Sequence, residues 1–326
     1  MKVKINEVRA VLVKALVDRG LAKKEAGVVA NEYLEGELQG KTSHGLMAFP
    51  SLLEKVGGKA KPFNIKKETN SMVLIDANEN IGAWVGNQAA DIAIEKAKKE
   101  GIGLALIKNM VTWLRPGTVA QKIAEKGYVG LVFNNGGSPI TAPPGGYDPV
   151  VGTNPIGIGI PTSKKPIIVD MATSTKAWGE VRKAERFGEN LPKDIYFDNK
   201  GKFAVKPEDA YSALAMGNYK GFSLALLIEI LTGSFIGRKM GKGRKKVDYR
   251  TLPRGGVIIV LNPRMSTSFS KFANANSTLV KEIKSSRKLK GTKEIVLPGE
   301  RGLRAKVINF KKGYLEIEKE LWEKLH

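Results

Sequence analysis

The chain has few side chains that could act as acids, bases or nucleophiles. It contains no cysteine and two histidines, His44 and the C-terminal His326. The absence of cysteine excludes disulfides, thiolate metal sites and cysteine nucleophiles, and two histidines cannot form a histidine-rich metal cluster. Imidazole chemistry must therefore come from His44, and we expect no metal site.

A stretch rich in glycine, proline and asparagine, residues 134–161, is another candidate for a site. It is too long for a simple connection, and loops of this kind commonly build binding sites. The string GIGIPT at 157–162 begins like a dinucleotide fingerprint, but Thr162 occupies the third glycine position and Pro161 precedes it. An ordinary Rossmann domain is therefore not expected.

The elements that must position these residues alternate between strands and helices. Helical spacing of apolar residues predicts two helices within residues 2–38, separated near residues 18–20, and an apolar, buried helix over 221–237. Further helices are predicted over 82–100, 119–126 and 269–290, and strands at 71–76, 104–107, 129–133, 167–170, 256–262 and around 304–310, with 175–217 polar and turn-rich. This order indicates an α/β core with helical flanks from both termini.

Nothing in the chain predicts a membrane protein. The most apolar stretch, residues 221–236, contains Ser223, Glu229, Thr232 and Ser234, so we judge it too short and too polar to cross a bilayer. The N-terminus mixes charged and apolar residues and has no uninterrupted signal-type core. We expect a cytoplasmic protein without membrane attachment.

Several short strings occur in a fixed order along the chain. They are SHG at 43–45, APPGG at 142–146, GTNPIGIGIP at 152–161, VDMATS at 169–174, YKGFSLALLIEILTG at 219–233 and PGE at 298–300. Together they resemble the malate/L-lactate dehydrogenase family, which includes sulfolactate and ureidoglycolate dehydrogenases. The resemblance spans roughly residues 1–325.

The resemblance implies a sulfolactate dehydrogenase-like, non-Rossmann core sheet, a homodimer, and NAD or NADP bound near the dimer interface. It also suggests three regions. Residues 1–70 form an N-terminal helical segment of the catalytic half, residues 71–255 form the α/β core with the nucleotide-binding motifs, and residues 256–326 supply a strand and basic helices that pack back on the first half.

The same resemblance implies which residues bind the cofactor: Thr153, Asn154, Pro155, Asp170, Met171, Ala172, Thr173, Ser174 and Lys220. The chemistry agrees, because a carboxylate and hydroxyls at the end of a strand can bind a ribose or an amide, and glycine-rich backbone admits a flat ligand. The alternative interpretation is that GTNP and APPGG are structural turns.

The catalytic positions depart from the family pattern. Family members place an arginine four residues after the histidine of SHG and a tyrosine four residues later, where this chain has Ala48 and Leu52. The family's second histidine corresponds to Thr112, whose hydroxyl is too weak an acid to replace it. We therefore expect a changed substrate or reduced activity, with His44 as proton donor and Arg115, as a displaced carboxylate clamp, or Lys220 as anion binder. Alternatively, His44 is a retained helix-end residue.

The charge of the chain is unusual for a metabolic enzyme. Lysine and arginine number 54 against 32 acidic residues, a formal net charge of +22. Eight basic residues lie within 238–254 and six within 281–293. Such charge indicates a polyanionic partner or, equally, a solvated lysine-rich surface. The rival to the enzyme hypothesis is a catalytically inactive paralogue that acts as an RNA- or ribonucleoprotein-binding dimer. Its predicted contacts are the basic segment 281–293 and, in the segment 238–254, the residues Arg238, Lys239, Lys242, Arg244, Lys245 and Lys246.

Overall fold

The computed structural model describes residues 1–57, 62–241 and 253–325. Within these ranges the strands are β1 Lys2–Lys4, β2 Asn64–Glu68, β3 Met72–Asp76, β4 Ile102–Met110, β5 Val129–Asn134, β6 Ile156–Ile160, β7 Ile167–Met171, β8 Tyr196–Phe197, β9 Ser212–Ala213, β10 Arg254–Leu261 and β11 Tyr314–Glu316. The helices are α1 Ile5–Val17, α2 Lys23–Leu38, α3 Phe49–Leu53, α4 Gly82–Glu100, α5 Pro116–Glu125, α6 Gly179–Phe187, α7 Tyr219–Leu231, α8 Phe269–Ser285, α9 Glu300–Lys312 and α10 Lys319–Glu323.

A seven-stranded sheet with the order β2-β3-β4-β10-β5-β6-β7 forms the centre of the fold. β3 and β4 are parallel, and the other neighbouring pairs are antiparallel. β10 lies between β4 and β5, with Val257 opposite Leu106 on one side and Phe133 on the other. Its apolar run at 257–260 suits a strand that is covered on both faces. The predicted α/β class is confirmed, and a strand from the last third of the chain is central to the sheet.

α4 covers the sheet with small side chains. Its buried face includes Ala89, Ala93 and Ala97, and a Cβ atom added at Gly103 would lie 1.8 Å from the carbonyl oxygen of Ala93. Helix and strand are therefore too close for a side chain at that point. The helix ends at Gly101, whose φ of 83° is a conformation that glycine adopts without strain. This packing fixes β4, the strand that leads to Arg115.

The two chain termini build a second hydrophobic core together. β1 pairs with β11, with Val3 opposite Leu315, and the N-terminal ammonium group donates to the Ile317 carbonyl at 2.7 Å. Apolar residues of α1, α2 and α3 pack in the same core as Leu321 of α10. Both termini thus flank the central sheet, while the division at residues 70 and 255 stays a prediction.

One predicted strand is wrong, and two other segments contain elements that were not predicted. The stretch 304–310, predicted as a strand, lies inside α9; its apolar residues Val307 and Ile308 resemble a strand only within a short window. The polar region 175–217 contains the helix α6, and the loop 134–161 contains the strand β6. In β6 the glycines at 157 and 159 face neighbouring backbone closely, so they serve packing and do not mark a turn.

α7 differs from the buried helix that was predicted. By length and composition, Tyr219–Ile236 is apolar enough to cross a membrane, with a mean hydropathy of 1.3, so its composition does not support the judgement that it is too polar. In the fold, Gly221, Ala225 and Ile228 are buried, and the buried Glu229 accepts a hydrogen bond from Asn154 Nδ2 at 2.9 Å. The opposite face is exposed and apolar, with Leu226, Leu227 and Ile230, and the exposed Phe235 follows in the next 3-10 turn.

Candidate active site

Arg115 lies between the end of β4 and the beginning of α5. Only 3% of the residue is exposed. Its backbone N–H donates to Glu32 Oε1 at 3.0 Å, and its Nη1 donates to Gln39 Oε1 at 3.1 Å. α2 and the residue after it thus hold the arginine between the N-terminal helices and the central sheet.

The guanidinium group of Arg115 is incompletely hydrogen-bonded. Nη1 lies 3.8 Å from Asp170 Oδ2, whereas Nε and Nη2 are buried and have no hydrogen-bond partner among the described residues. Leaving a buried donor without an acceptor costs about 1–3 kcal/mol, and more for a charged group. The planar Nε–Nη2 edge matches two oxygens of a carboxylate, sulfonate or phosphate. The site is therefore suited to an anion.

Asp170 joins the basic residues of the site. It lies near the end of β7, where its Oδ2 accepts from Lys41 Nζ at 2.5 Å and its Oδ1 accepts from the Gly117 N–H at 3.2 Å. Burial alone would raise the pKa of Asp170, but Lys41 and Arg115 hold it below its ordinary value. The carboxylate is therefore charged at neutral pH and partly neutralises both cations.

His44 ends the 3-10 turn Thr42–His44. Its Nδ1 lies 3.0 Å from Ser43 Oγ. Burial lowers the pKa of His44 to about 4, with further lowering by Arg115, Lys41 and Arg182 and an opposing effect of Asp170. The imidazole is therefore neutral at physiological pH in the unliganded protein, and it belongs to the same charged cluster as Arg115 and Asp170.

α2 holds the turn that carries His44. Glu37 Oε2 accepts from the Leu46 N–H at 3.0 Å, and a Cβ atom added at Gly45 would lie 2.4 Å from the same oxygen. A Cβ atom at Gly36 would lie 2.1 Å from the His44 carbonyl oxygen. Two glycines and a partly buried carboxylate thus fix the position of the histidine.

Glu32 is a second buried carboxylate at the site. Burial raises the pKa of Glu32 to about 7, although the Arg115 N–H bond and the Arg115 charge act in the opposite direction. Close to neutral pH this residue therefore exists in both protonation states. It lies behind Arg115 and supports the arginine, whereas Asp170 and Lys41 face the cavity described next.

A cavity of about 370 Å³ opens beside Arg115 and Asp170. Its cationic lining residues are Lys41, Arg115 and Arg301. Gly299, also in the wall, has a φ of 82° at the start of α9. The cavity is therefore bordered by cations and by the first turn of a helix, both of which favour anions. Its neutral walls include Gln39, Thr118, Gln121, Val296, Leu297 and Pro298.

The structure brings three of the predicted site residues together and separates the others. His44, Arg115 and Asp170 form one electrostatic cluster, although His44 itself is not in the cavity wall. The remaining predicted cofactor residues of β7 and the loop before β6 are likewise not in that wall: Met171, Ala172, Thr173, Ser174, Thr153, Asn154 and Pro155. Their role in cofactor binding stays a prediction.

Several of these residues use their polar groups inside the protein. Asn154 is fully buried, with Nδ2 donating to the Ala225 carbonyl at 2.8 Å and Oδ1 accepting from the Gly136 N–H at 3.0 Å. The Thr173 hydroxyl donates to the Thr153 carbonyl at 2.9 Å, and the Ser174 hydroxyl donates to the Lys176 carbonyl at 2.8 Å. These bonds tie the loop before β6 to α7 and to the segment after β7, which supports the alternative that GTNP is a structural turn.

Lys220, Arg238 and Lys239 are not in the wall of the cavity. Lys220 is exposed in the first turn of α7, with its Nζ 6.0 Å from the ring centroid of Tyr219. Arg238 donates to the Pro253 carbonyl, and Lys239 is exposed. The other four residues predicted to bind RNA, Lys242, Arg244, Lys245 and Lys246, lie outside the described residues.

The residues at the positions that depart from the family pattern pack in or against the protein interior. Leu52 is buried in the N-terminal core, and Ala48 packs against that core. Thr112 is buried, and its carbonyl accepts from the Gly82 N–H at 2.5 Å. Its neighbour Trp113 is a core residue: a Cβ atom added at Gly86 would lie 2.7 Å from the indole ring. Where family members have the arginine, this chain therefore has Ala48, which packs against the apolar N-terminal core.

Sequence reasoning missed several cavity residues. Lys41 and Gln39 lie just before the SHG string, and Arg301 lies directly after PGE. The proximity of these residues to the two strings was the available signal. What could not be read from the sequence is that 39–41 and 298–302 meet at Asp170 from opposite ends of the chain.

The fold places the chain in a known class. The sulfolactate dehydrogenase of Methanocaldococcus jannaschii has a matching structure, with a TM-score of 0.90 and 29% sequence identity over 100% of this chain and 95% of that one. The predicted sulfolactate dehydrogenase-like fold is therefore confirmed.

Sequence comparison gives the family. A sequence model described as malate/L-lactate dehydrogenase matches residues 3–326. The malate/(S)-sulfolactate dehydrogenase of Methanothermus fervidus is 33% identical over 98% of this chain and 95% of its own length. The 2,3-diketo-L-gulonate reductase of Shigella boydii is 32% identical over 71% of each chain. This chain belongs to the malate/L-lactate dehydrogenase family, whose dehydrogenases depend on a pyridine nucleotide, and it is by family an oxidoreductase.

Proposed function

We propose that the chain is a cytoplasmic oxidoreductase that uses NAD or NADP to interconvert a small anionic 2-hydroxy acid and its 2-oxo form. In this proposal His44 transfers the proton and Arg115 binds an anionic group of the substrate. The observation that carries the proposal is the buried Nε–Nη2 edge of Arg115, which has no partner in the described part of the chain and belongs to the same charged cluster as His44.

The cavity residues fit a pyridine nucleotide. Lys41 and Arg301 line the cavity together with Arg115, and the glycines at 117, 299 and 302 leave room for close approach. These residues would hold the diphosphate, because backbone N–H groups at a helix start and basic side chains both bind phosphate. When bound, the nucleotide supplies or accepts the hydride. The choice between NAD and NADP is left open in this proposal.

His44 would move the proton. In the oxidation direction a neutral imidazole accepts the hydroxyl proton, and the low pKa of His44, about 4, keeps it neutral. Arg115 contributes to that low value, so an anion bound to Arg115 would raise the pKa of His44 by offsetting the positive charge. Substrate binding would thereby prepare the histidine to donate the proton in the reduction direction.

We also propose that the substrate differs from that of arginine-containing family members. The arginine four residues after the histidine is replaced by Ala48, and the second histidine is replaced by Thr112. Arg115 approaches from the start of α5, a different direction from a residue on the 3-10 turn near Ala48. An arginine that binds the anionic group from a different position selects a substrate of different shape. Pyruvate and oxaloacetate should therefore be poor substrates.

A substrate panel tests this function. Reduced nicotinamide consumption would be followed with 2-oxo acids of different length, with 2-oxo sulfonates, and with the matching neutral amides, each with NADH and with NADPH. We expect turnover of one or more anions and none of the neutral amides. Equal rates for an anion and its amide, or no turnover of any compound with either nucleotide, would contradict the proposal.

The active form is proposed to be a homodimer. α7 and the 3-10 turn after it expose an apolar surface, with Leu227 at 51% and Phe235 at 58% exposure. Such a surface favours a protein partner, and most soluble oligomers are formed by copies of one chain. Light scattering should give twice the 35.4 kDa chain mass. Leu227→Arg should give a monomer, whereas Leu289→Arg, at an exposed position outside α7, should leave the dimer intact.

A further inference from the structure

Almost half of the net charge of the protein is concentrated in one segment. Residues 264–312, which include α8 and α9, contain thirteen basic and three acidic residues, a net charge of +10 out of +22. The segment has 49 of the 326 residues. A lysine-rich composition spread evenly over the surface would not produce this concentration.

Ion pairs do not account for this charge. Glu294 and Glu300 pair with Arg304, and Glu300 also pairs with Lys284 at 2.6 Å. Lys306 pairs with Glu35. In and directly after α10, by contrast, both lysines are paired with glutamates four residues away. The other ten basic residues of the segment form no ion pair with another described residue: Arg264, Lys271, Lys281, Arg287, Lys288, Lys290, Lys293, Arg301, Lys311 and Lys312.

The surface that carries these cations is held firmly to the protein body. On α8, Asn276 Nδ2 donates to the Pro161 carbonyl at 2.9 Å and Ser277 Oγ accepts from the Ser163 N–H at 3.0 Å. On α9, Asn309 Nδ2 donates to the Leu38 carbonyl at 2.9 Å. The connection between the helices is highly exposed, with Leu289 at 83%. The unpaired cations are therefore exposed on a surface whose two helices are held in place by these hydrogen bonds.

From this arrangement we propose that α8, α9 and the turn that joins them, residues 286–299, form an RNA-binding surface. This function goes beyond the proposed oxidoreductase activity. Unpaired cations spread over two helices and a turn match the repeated charges of a phosphate backbone, and not a single small anion. Exposed aromatic residues are scarce, since Phe310 is the exposed aromatic side chain of this segment. Recognition therefore depends on phosphates, with little discrimination between bases.

Fluorescence polarisation with a labelled RNA hairpin tests the surface. The full chain would be titrated at salt concentrations between roughly 50 and 300 mM, the range in which phosphate contacts weaken steeply. The test variant combines Arg287→Ala, Lys288→Ala and Lys290→Ala in the exposed turn. The control variant combines Lys14→Ala, Lys319→Ala and Lys324→Ala, which removes the same charge from exposed, ion-paired positions.

We expect the affinity of the wild-type protein to fall steeply with salt, the turn variant to bind at least about tenfold more weakly with a shallower salt dependence, and the control to match wild type within about twofold. Binding that does not depend on salt, equal losses in both variants, or binding to phosphatidylserine vesicles but not to RNA would overturn the proposal. Enzyme assays on the same variants keep this outcome separate from that of the oxidoreductase proposal.

Discussion

Lys41 Nζ lies 2.5 Å from Asp170 Oδ2, so a residue that follows α2 is bound to the end of the sheet's edge strand β7. The same carboxylate oxygen lies 3.8 Å from Arg115 Nη1. Asp170 therefore couples the N-terminal helices, the start of α5 and the central sheet at one point. The predictions below depend on this coupling and on the neighbouring His44 and Glu32.

Lys41→Met should destabilise the fold and weaken nucleotide binding. The pair is partly buried, with side-chain exposures of 35% and 12%, so its loss should cost about 1–2 kcal/mol, between the values for exposed and buried pairs. Denaturant unfolding measures this cost. Lys14→Met, which removes an exposed pair with Asp18, is the matched control and should change stability by less than about 0.5 kcal/mol. Equal costs in the two variants would show that the Lys41 pair has no special role.

Two buried groups should give opposite pH dependences of stability. Folding lowers the pKa of His44 from 6.5 to about 4. The contribution of neutral His44 to the free energy of unfolding is therefore complete above pH 6.5 and is lost as the pH falls toward 4. Folding raises the pKa of Glu32 from 4.5 to about 7. The contribution of protonated Glu32 to the free energy of unfolding is therefore complete below pH 4.5 and is lost as the pH rises through 7. Each effect amounts to about 3 kcal/mol, and between pH 4.5 and 6.5 they nearly cancel.

Single substitutions separate the two effects. Relative to wild type, Glu32→Gln should become progressively more stable as the pH rises from 4.5 to 7, and His44→Asn should become progressively more stable as the pH falls from 6.5 to 4, because each variant lacks one of the opposing losses. Thermal or urea unfolding at half-unit pH steps measures both difference curves. Parallel curves for the two variants would mean that these side chains do not carry the assigned pKa shifts.

The low pKa of His44 should also appear in catalysis. For oxidation of the hydroxy acid, kcat/KM reports the free enzyme and requires neutral His44, so it should stay level from neutral pH down to near 4. An ordinary histidine would give a decline below about pH 6.5. Arg115→Met should move the decline upward because it removes a positive charge that lowers the pKa of His44. A wild-type profile that declines near pH 6.5 would contradict the assigned environment.

The replaced catalytic positions should explain poor reduction of simple 2-oxo acids. Ala48→Arg and Thr112→His together should raise pyruvate or oxaloacetate reduction more than either change alone, since one adds an anion clamp and the other an acid. Thr112 is buried, so the larger imidazole needs room and unfolding must be measured alongside activity. Efficient reduction of either compound by the wild-type protein would show that Arg115 already binds simple 2-oxo acids.

The sequence predicted much of the fold but not its long-range contacts. The helix over 82–100 and the strands near 71–76, 104–107, 129–133 and 256–262 are present because apolar spacing and glycine boundaries reflect local burial. The central position of β10 could not be predicted, since strand order depends on pairing between distant residues. α9 was mistaken for a strand because 304–310 has exposed apolar residues, including Val307 and Ile308, which resemble a strand in a short window.

For the candidate site, the sequence identified single residues better than their grouping. His44 was the one available imidazole apart from the C-terminal residue, whereas Arg115 and Asp170 were proposed from the resemblance to the family. Lys41 and Arg301 were missed because, apart from their proximity to the SHG and PGE strings, nothing local distinguishes them from the other lysines and arginines of a basic chain. Their role depends on the meeting of α2, β7 and the start of α9.

The central claim is that His44 transfers the proton while Arg115 binds the anionic group of the substrate, and steady-state kinetics of three proteins test it most directly. With the best anion from the substrate panel, His44→Asn should lower kcat by about 10²–10⁴-fold with little change in KM. Arg115→Lys should mainly raise KM, because lysine keeps the charge but not the bidentate geometry. Nucleotide binding, measured by fluorescence titration, should persist in both variants. Turnover by His44→Asn at the wild-type rate would contradict the account.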